Sequence, residues 1–119
     1  MSFTPQVTMM EVLTQGANAF PRVPKYVCRI ALAAGTEQHF DLKTLTGLST
    51  YQALFMIFSS DAPFYAAYYN TATLPSGSNT VDGSAPEYNP NQRYIPPDVT
   101  SLSLISPGAA NITIDIFKP

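Results

Sequence analysis

The chain has 119 residues, of which 45% are hydrophobic and 12% are charged, and its formal net charge is −2. This length suits one domain with one core, and the apolar content excludes a chain that is disordered by composition. Soluble domains usually carry about 25% charged residues, so the low charge favours a surface that meets other protein, although a monomer coated with Ser, Thr and Asn satisfies it too. Without a basic cluster, the acidic balance argues against nucleic acid as a partner.

Targeting signals and cysteine content indicate where the chain is made and whether it forms a disulfide. The apolar runs are too short for a membrane span, and the N-terminus has neither the basic nor the apolar region of a secretory signal. We therefore expect synthesis in the cytoplasm and no membrane partner. The single Cys28 excludes an intrachain disulfide, and its strand-like neighbours predict a small buried hydrophobe rather than a reactive thiol.

Residues 1–24 differ in pattern from the rest of the chain and are interpreted as an N-terminal arm. Thr4 and Gly16 can delimit a short helix, whereas the prolines within 20–24 suit an extended segment, and the pattern leaves both open. In either conformation the arm needs an apolar surface to lie on, and a neighbouring subunit can provide it. Its candidate interface residues are Met9, Met10, Val12, Leu13 and Phe20.

From residue 25 onward the pattern is typical of strands, and we treat 25–119 as one domain. Residues 26–32 alternate, with Tyr26, Cys28, Ile30 and Leu32 on one face. Residues 37–45 alternate more weakly. Residues 54–69 predict a β-hairpin with a turn at 59–63. Because its first run is apolar at every position, we expect a second sheet, a partner chain or both to cover its two faces.

The remainder of the domain is a long segment followed by a clear pair of strands. Residues 70–98 show no period and predict one long loop, with a mobile tip at 76–84 and an anchored second half. Residues 99–117 predict an antiparallel hairpin with one buried and one wet face, in which serines alternate with leucines and polar residues alternate with isoleucines. The fold class predicted is all-β, a single antiparallel β-sandwich (jelly-roll-like) or a small barrel, with an N-terminal arm and one long loop.

Few residues in this chain are suited to catalysis. His39, the only histidine, shares a strand face with Asp41, but no further ligands at metal-binding spacing accompany them. Neither a nucleophile elbow nor a phosphate-binding glycine loop occurs. We therefore expect no enzyme activity, no metal and no cofactor, and we interpret His39 and Asp41 as solvated strand residues.

The tyrosines are more informative. Tyr65, Tyr69, Tyr88 and Tyr94 combine an aromatic face with a polar tip, which suits core packing under the long loop, a protein interface, or a platform for sugars. The sequence leaves these three roles open. All four are retained as candidate interface residues.

The C-terminal third resembles a known group of proteins. A strand at 100–104, a Ser/Gly/Ala turn at 106–110 and a terminal alternating strand at 112–117 are similar to the ends of small β-sandwich accessory proteins of tailed bacteriophage virions, which include capsid decoration (cement) proteins and small tail or fibre components. The resemblance implies a virion structural protein that binds copies of itself or a major capsid or tail protein. The alternative hypothesis is a carbohydrate- or receptor-binding module that uses the tyrosines to bind a glycan.

Overall fold

The computed structural model describes residues 22–118, so the arm residues Met9, Met10, Val12, Leu13 and Phe20 lie outside the described part of the chain. Nine elements follow in order: β1 (Tyr26–Leu32), β2 (Gln38–Asp41), α1 (Leu42–Thr46), β3 (Leu54–Ser60), β4 (Tyr65–Ala67), β5 (Glu87–Tyr88), β6 (Gln92–Ile95), β7 (Ser101–Ile105) and β8 (Ala110–Phe117). The fold is therefore all-β, as the sequence predicts.

The strands form two four-stranded antiparallel sheets. Sheet I has the order β1-β8-β3-β6, and sheet II has the order β2-β7-β4-β5. Apart from the β4–β5 step, every pair of consecutive strands changes sheet, which is the strand arrangement of a jelly roll. The predicted jelly-roll-like sandwich is confirmed.

The core lies between the sheets, because alternate side chains of sheet I point to the same side. Leu54, Met56 and Phe58 of β3 are buried there, and Ile112, Ile114 and Ile116 of β8 are fully inaccessible to solvent. Sheet II contributes Leu102, Leu104 and Ala66 from the opposite side. The alternation predicted for 26–32 is confirmed, since Ile30 and Leu32 are buried while Val27, Arg29 and Ala31 are exposed.

The two predicted hairpins are wrong as pairings, although their strands exist. β3 pairs with β6 and β8, whereas β4 pairs with β5 and β7. Likewise β7 belongs to sheet II and β8 to sheet I. The short connections at 61–64 and 106–109 cross from one sheet to the other. A connection of this length spans the roughly 10 Å between packed sheets as easily as it closes a hairpin.

Two other segments also differ from the prediction. The strand expected over 37–45 ends at Asp41, whose carboxylate accepts a hydrogen bond from the Lys43 N–H and caps α1, while Gly47 ends this helix with a φ of 70°. The long loop 70–98 contains β5 and β6, so its second half is anchored, as expected, but by strand pairing.

The first part of that loop covers sheet II. Ala72 is 1% exposed and packs with Leu74 against Ala67, Ile105 and Tyr65 on the outer face of the sheet. The Ala72 N–H donates to the Ser103 hydroxyl at 2.8 Å. Ser103 is therefore fully buried, and the wet face expected for β7 is wrong at this position.

Candidate functional site

The outer face of sheet I carries an apolar surface, which we call the outer apolar face. Strand register places Phe55 of β3 opposite both Phe117 of β8 and Tyr94 of β6. The Phe55 and Phe117 rings lie 6.0 Å apart. One step along the strands, Ile57 and Val27 flank Asp115. The outer apolar face consists of Val27, Phe55, Ile57, Tyr94 and Phe117.

This face is more accessible than the part of sheet II that lies under the loop. Val27 is 59% exposed and Tyr94 is 61% exposed, and Phe55, Ile57 and Phe117 are half-buried. In contrast, Ile105 on the outer face of sheet II is 6% exposed, because Ala72 and Leu74 cover it. The two sheets thus differ in what lies on their outer sides within residues 22–118.

The structure separates the four candidate tyrosines into two groups. Tyr65 and Tyr88 face each other across β4 and β5, with ring centroids 5.1 Å apart, on the outer side of sheet II. Tyr65 also packs against the cluster under the loop, so core packing accounts for part of this pair. Tyr69 and Tyr94 instead line a groove where the open edges of the two sheets meet.

We call this second feature the edge groove. It lies beside the edge strands β5 and β6 and has a volume of about 430 Å³. Its apolar lining includes Ala66, Ile95 and Val99, and its polar lining includes Glu87 and Arg93. Tyr69 is 65% exposed at its rim.

A hydrogen-bonded network joins the two sheets in the edge groove. Arg93 of β6 donates through Nε to both carboxylate oxygens of Glu87 in β5, at 3.0 and 2.8 Å, and a second bond runs from its Nη2 to Oε2. The Tyr68 hydroxyl donates to Glu87 Oε1 at 2.9 Å. The bonds from Arg93 hold the pKa of Glu87 below its ordinary value of 4.5, and burial raises the pKa of Tyr68 above its ordinary value of 10.0.

A second contact fixes the tyrosine at the rim. The Tyr69 hydroxyl lies 3.3 Å and 3.4 Å from the two carboxylate oxygens of Asp98. Tyr69 follows β4 and Asp98 follows β6, so this contact also bridges the sheets. The ring is held at its tip while its faces stay accessible.

The residues considered for catalysis are placed elsewhere. His39 and Asp41 are both exposed on β2, as expected for solvated strand residues. Nδ1 of His39 lies 3.4 Å from Glu37, and Asp41 caps α1 while accepting a hydrogen bond from the Tyr51 hydroxyl. Cys28 is half-buried, its thiol donates to the Leu45 carbonyl, and burial raises the pKa of that thiol.

Several residues of the two surfaces are absent from the sequence-based candidates. Arg93 and Glu87 are isolated charges in a segment without period, so only their pairing across two sheets reveals them. Phe55 and Ile57 did leave a signal, because they make residues 54–58 of β3 apolar at every position.

The described part of the chain forms neither a metal-binding cluster nor a long apolar helix. Among residues 22–118, no three His, Cys, Asp or Glu side chains are grouped to hold a metal ion. Over the same residues, no helix has the length and hydropathy needed to cross a membrane. Neither a family model, nor a curated protein, nor a solved structure matches the chain.

Proposed function

We propose that this protein is a non-enzymatic structural protein that binds other protein through the outer apolar face of sheet I. The observation that carries the proposal is the difference between the two sheets. On sheet II, Ala72 and Leu74 cover the outer side around Ala67 and Ile105 and leave Tyr88 exposed at the edge, whereas Val27 and Tyr94 of sheet I are 59% and 61% exposed. Exposed apolar side chains grouped on one face of a sheet are typical of protein contact sites, and Asp115 lies among them between Val27 and Ile57.

The area of the outer apolar face determines whether it can form a stable interface without a further segment. With strands about 4.8 Å apart and about 3.3 Å per residue, a face four strands wide and three residues long covers roughly 200 Å². Stable interfaces bury about 800 Å² per partner. Contact between two such faces alone is therefore too small, and a further segment has to contribute.

We assign this contribution to the N-terminal arm, residues 1–24, of a second copy. The arm enters β1 at Tyr26, which pairs with Ile116, next to Phe117 at one end of the outer apolar face. Val23, just before β1, is 89% exposed, so this residue does not pack on the described body. An arm of this length reaches up to about 75 Å when extended, which is enough to cross the sheet of a neighbour.

The proposed setting is a virion, with copies of the chain or a major capsid or tail protein as partners. Two arguments support it. The C-terminal third resembles accessory proteins of tailed-phage virions, and the jelly roll is an architecture of viral capsid domains. Both are arguments by analogy, which makes the exposed apolar face the physical basis of the proposal.

The test is the absolute mass in solution, measured by light scattering after size exclusion. We expect the full chain to be an oligomer whose mass falls to that of a monomer in two variants, Val27→Lys and a deletion of residues 1–24. The core lies within residues 26–116, so the deletion should leave the body folded. Val27→Lys places a charge on an exposed position and should preserve the fold while preventing contact.

Tyr88→Thr is the matched control, since Tyr88 is an exposed aromatic on sheet II. It should retain the oligomer. If Val27→Lys dissociates the oligomer but the deletion does not, the face is the interface and a different segment occupies it. An oligomer that persists in both variants contradicts the proposal.

A further inference from the structure

The edge groove is a second surface, which shares Tyr94 with the outer apolar face. Its volume of about 430 Å³ lies within the roughly 300–1,000 Å³ of small-molecule sites. A cleft of similar size beside Tyr65 is lined by loop residues 73–86 and contains no charged side chain. The edge groove, in contrast, combines an aromatic rim with charged groups that are held in place.

We propose that the edge groove binds a neutral saccharide, with one pyranose ring stacked on Tyr69 and its hydroxyl groups bonded to Arg93 and Asp98. This inference goes beyond the assembly function. A pyranose has an apolar C–H face that fits an aromatic ring, and hydroxyls that both donate and accept.

The polar groups of the groove match this chemistry. Arg93 uses Nε and Nη2 for Glu87 and Nη1 for the Gln92 carbonyl, which leaves two of its five N–H groups as donors. Asp98 lies beside the groove, and within residues 22–118 it accepts only the long contact from the Tyr69 hydroxyl, so it keeps acceptor capacity. Because these groups are held in place before a ligand arrives, little side-chain ordering accompanies binding.

The carboxylates at the edge groove disfavour ligands that carry a negative charge. Arg93 is already paired with Glu87, so the charges of the lining balance, and Asp98 adds a carboxylate beside the groove at the tip of Tyr69. Sialylated glycans and phosphorylated ligands would meet repulsion there. A basic peptide is the remaining competitor, because a cation can also lie on a tyrosine ring.

The test uses the full chain and named probes: lactose, maltotriose and N,N′-diacetylchitobiose, with sialyllactose and a trilysine peptide as competitors. Binding is followed by saturation-transfer NMR with irradiation of the tyrosine ring protons. We expect at least one neutral probe to bind. In Tyr69→Ala its affinity should fall about tenfold, since the ring is lost.

Two variants serve as controls. Tyr69→Phe keeps the ring without the Asp98 contact and should retain most of the affinity. Tyr88→Ala removes another exposed tyrosine, which lies outside the edge groove, and should bind as the wild type does. The proposal is overturned if no neutral probe binds, if Tyr69→Ala binds unchanged, or if only sialyllactose or trilysine binds.

Discussion

Ser103 shows how one hydroxyl fixes the cover of sheet II. It is fully buried, accepts a hydrogen bond from the Ala72 N–H at 2.8 Å, and donates to Glu37. In Ser103→Ala this N–H is left unpaired in a buried position, which costs about 1–3 kcal/mol. We therefore expect the free energy of unfolding in urea to fall by that amount.

The control for this change lies on the same strand. Ser101 is half-buried, so Ser101→Ala should alter the free energy of unfolding by no more than about 0.5 kcal/mol. Equal losses in the two variants would show that the Ala72–Ser103 bond does not hold the loop.

Glu87 makes the stability of the protein depend on pH in the acid range. Its pKa is lowered below 4.5 in the folded state, mainly by the bonds from Arg93. A carboxyl with a depressed folded pKa stabilises the fold above its unfolded pKa, and this contribution is lost as the pH falls through the folded pKa. The urea midpoint should therefore decrease between neutral pH and about pH 3, and the decrease should be smaller in Glu87→Gln. An identical decrease in the variant would contradict this role.

Helix α1 depends on the glycine that ends it. Gly47 has a φ of 70°, where a Cβ costs about 1–2 kcal/mol. Gly108 lacks a positive φ, and a Cβ added there would meet nothing within 4 Å. Gly47→Ala should thus lower the thermal midpoint, while Gly108→Ala should leave it unchanged or raise it. A similar fall in both would show that the positive φ of Gly47 is not the reason for its sensitivity.

The positions of the strands were predicted more accurately than their pairing. The isoleucines of β8 and the alternation of β1 locate each strand and its buried face, since period-two patterns reflect local geometry. Strand pairing depends on whether a short connection returns to the same sheet or crosses to the other one. The turn residues at 106–109 fit both kinds of connection, so their sequence does not distinguish them. β5 has two residues, too few to show a period, so the segment containing it was predicted as a loop.

Both surfaces are formed by residues that lie far apart in the sequence, so the sequence alone predicts only part of each surface. The apolar run of β3 correctly predicts cover on one face by a second sheet, and cover on its outer face by a partner stays a prediction. The tyrosines are identifiable by type, but only the fold separates Tyr69 and Tyr94 from Tyr65 and Tyr88. Arg93 and Glu87 meet only because the edges of both sheets close at one place.

The central claim is that the outer apolar face is covered by the arm of a second copy. Carbene footprinting tests it most directly by comparing the labelling of individual side chains in the full chain and in the variant without residues 1–24. We predict that Val27, Phe55 and Phe117 are protected in the full chain and labelled in the variant, whereas Val81, which is 89% exposed in the 70–86 loop, is labelled equally in both. Equal labelling of the three face residues in both proteins would contradict the claim.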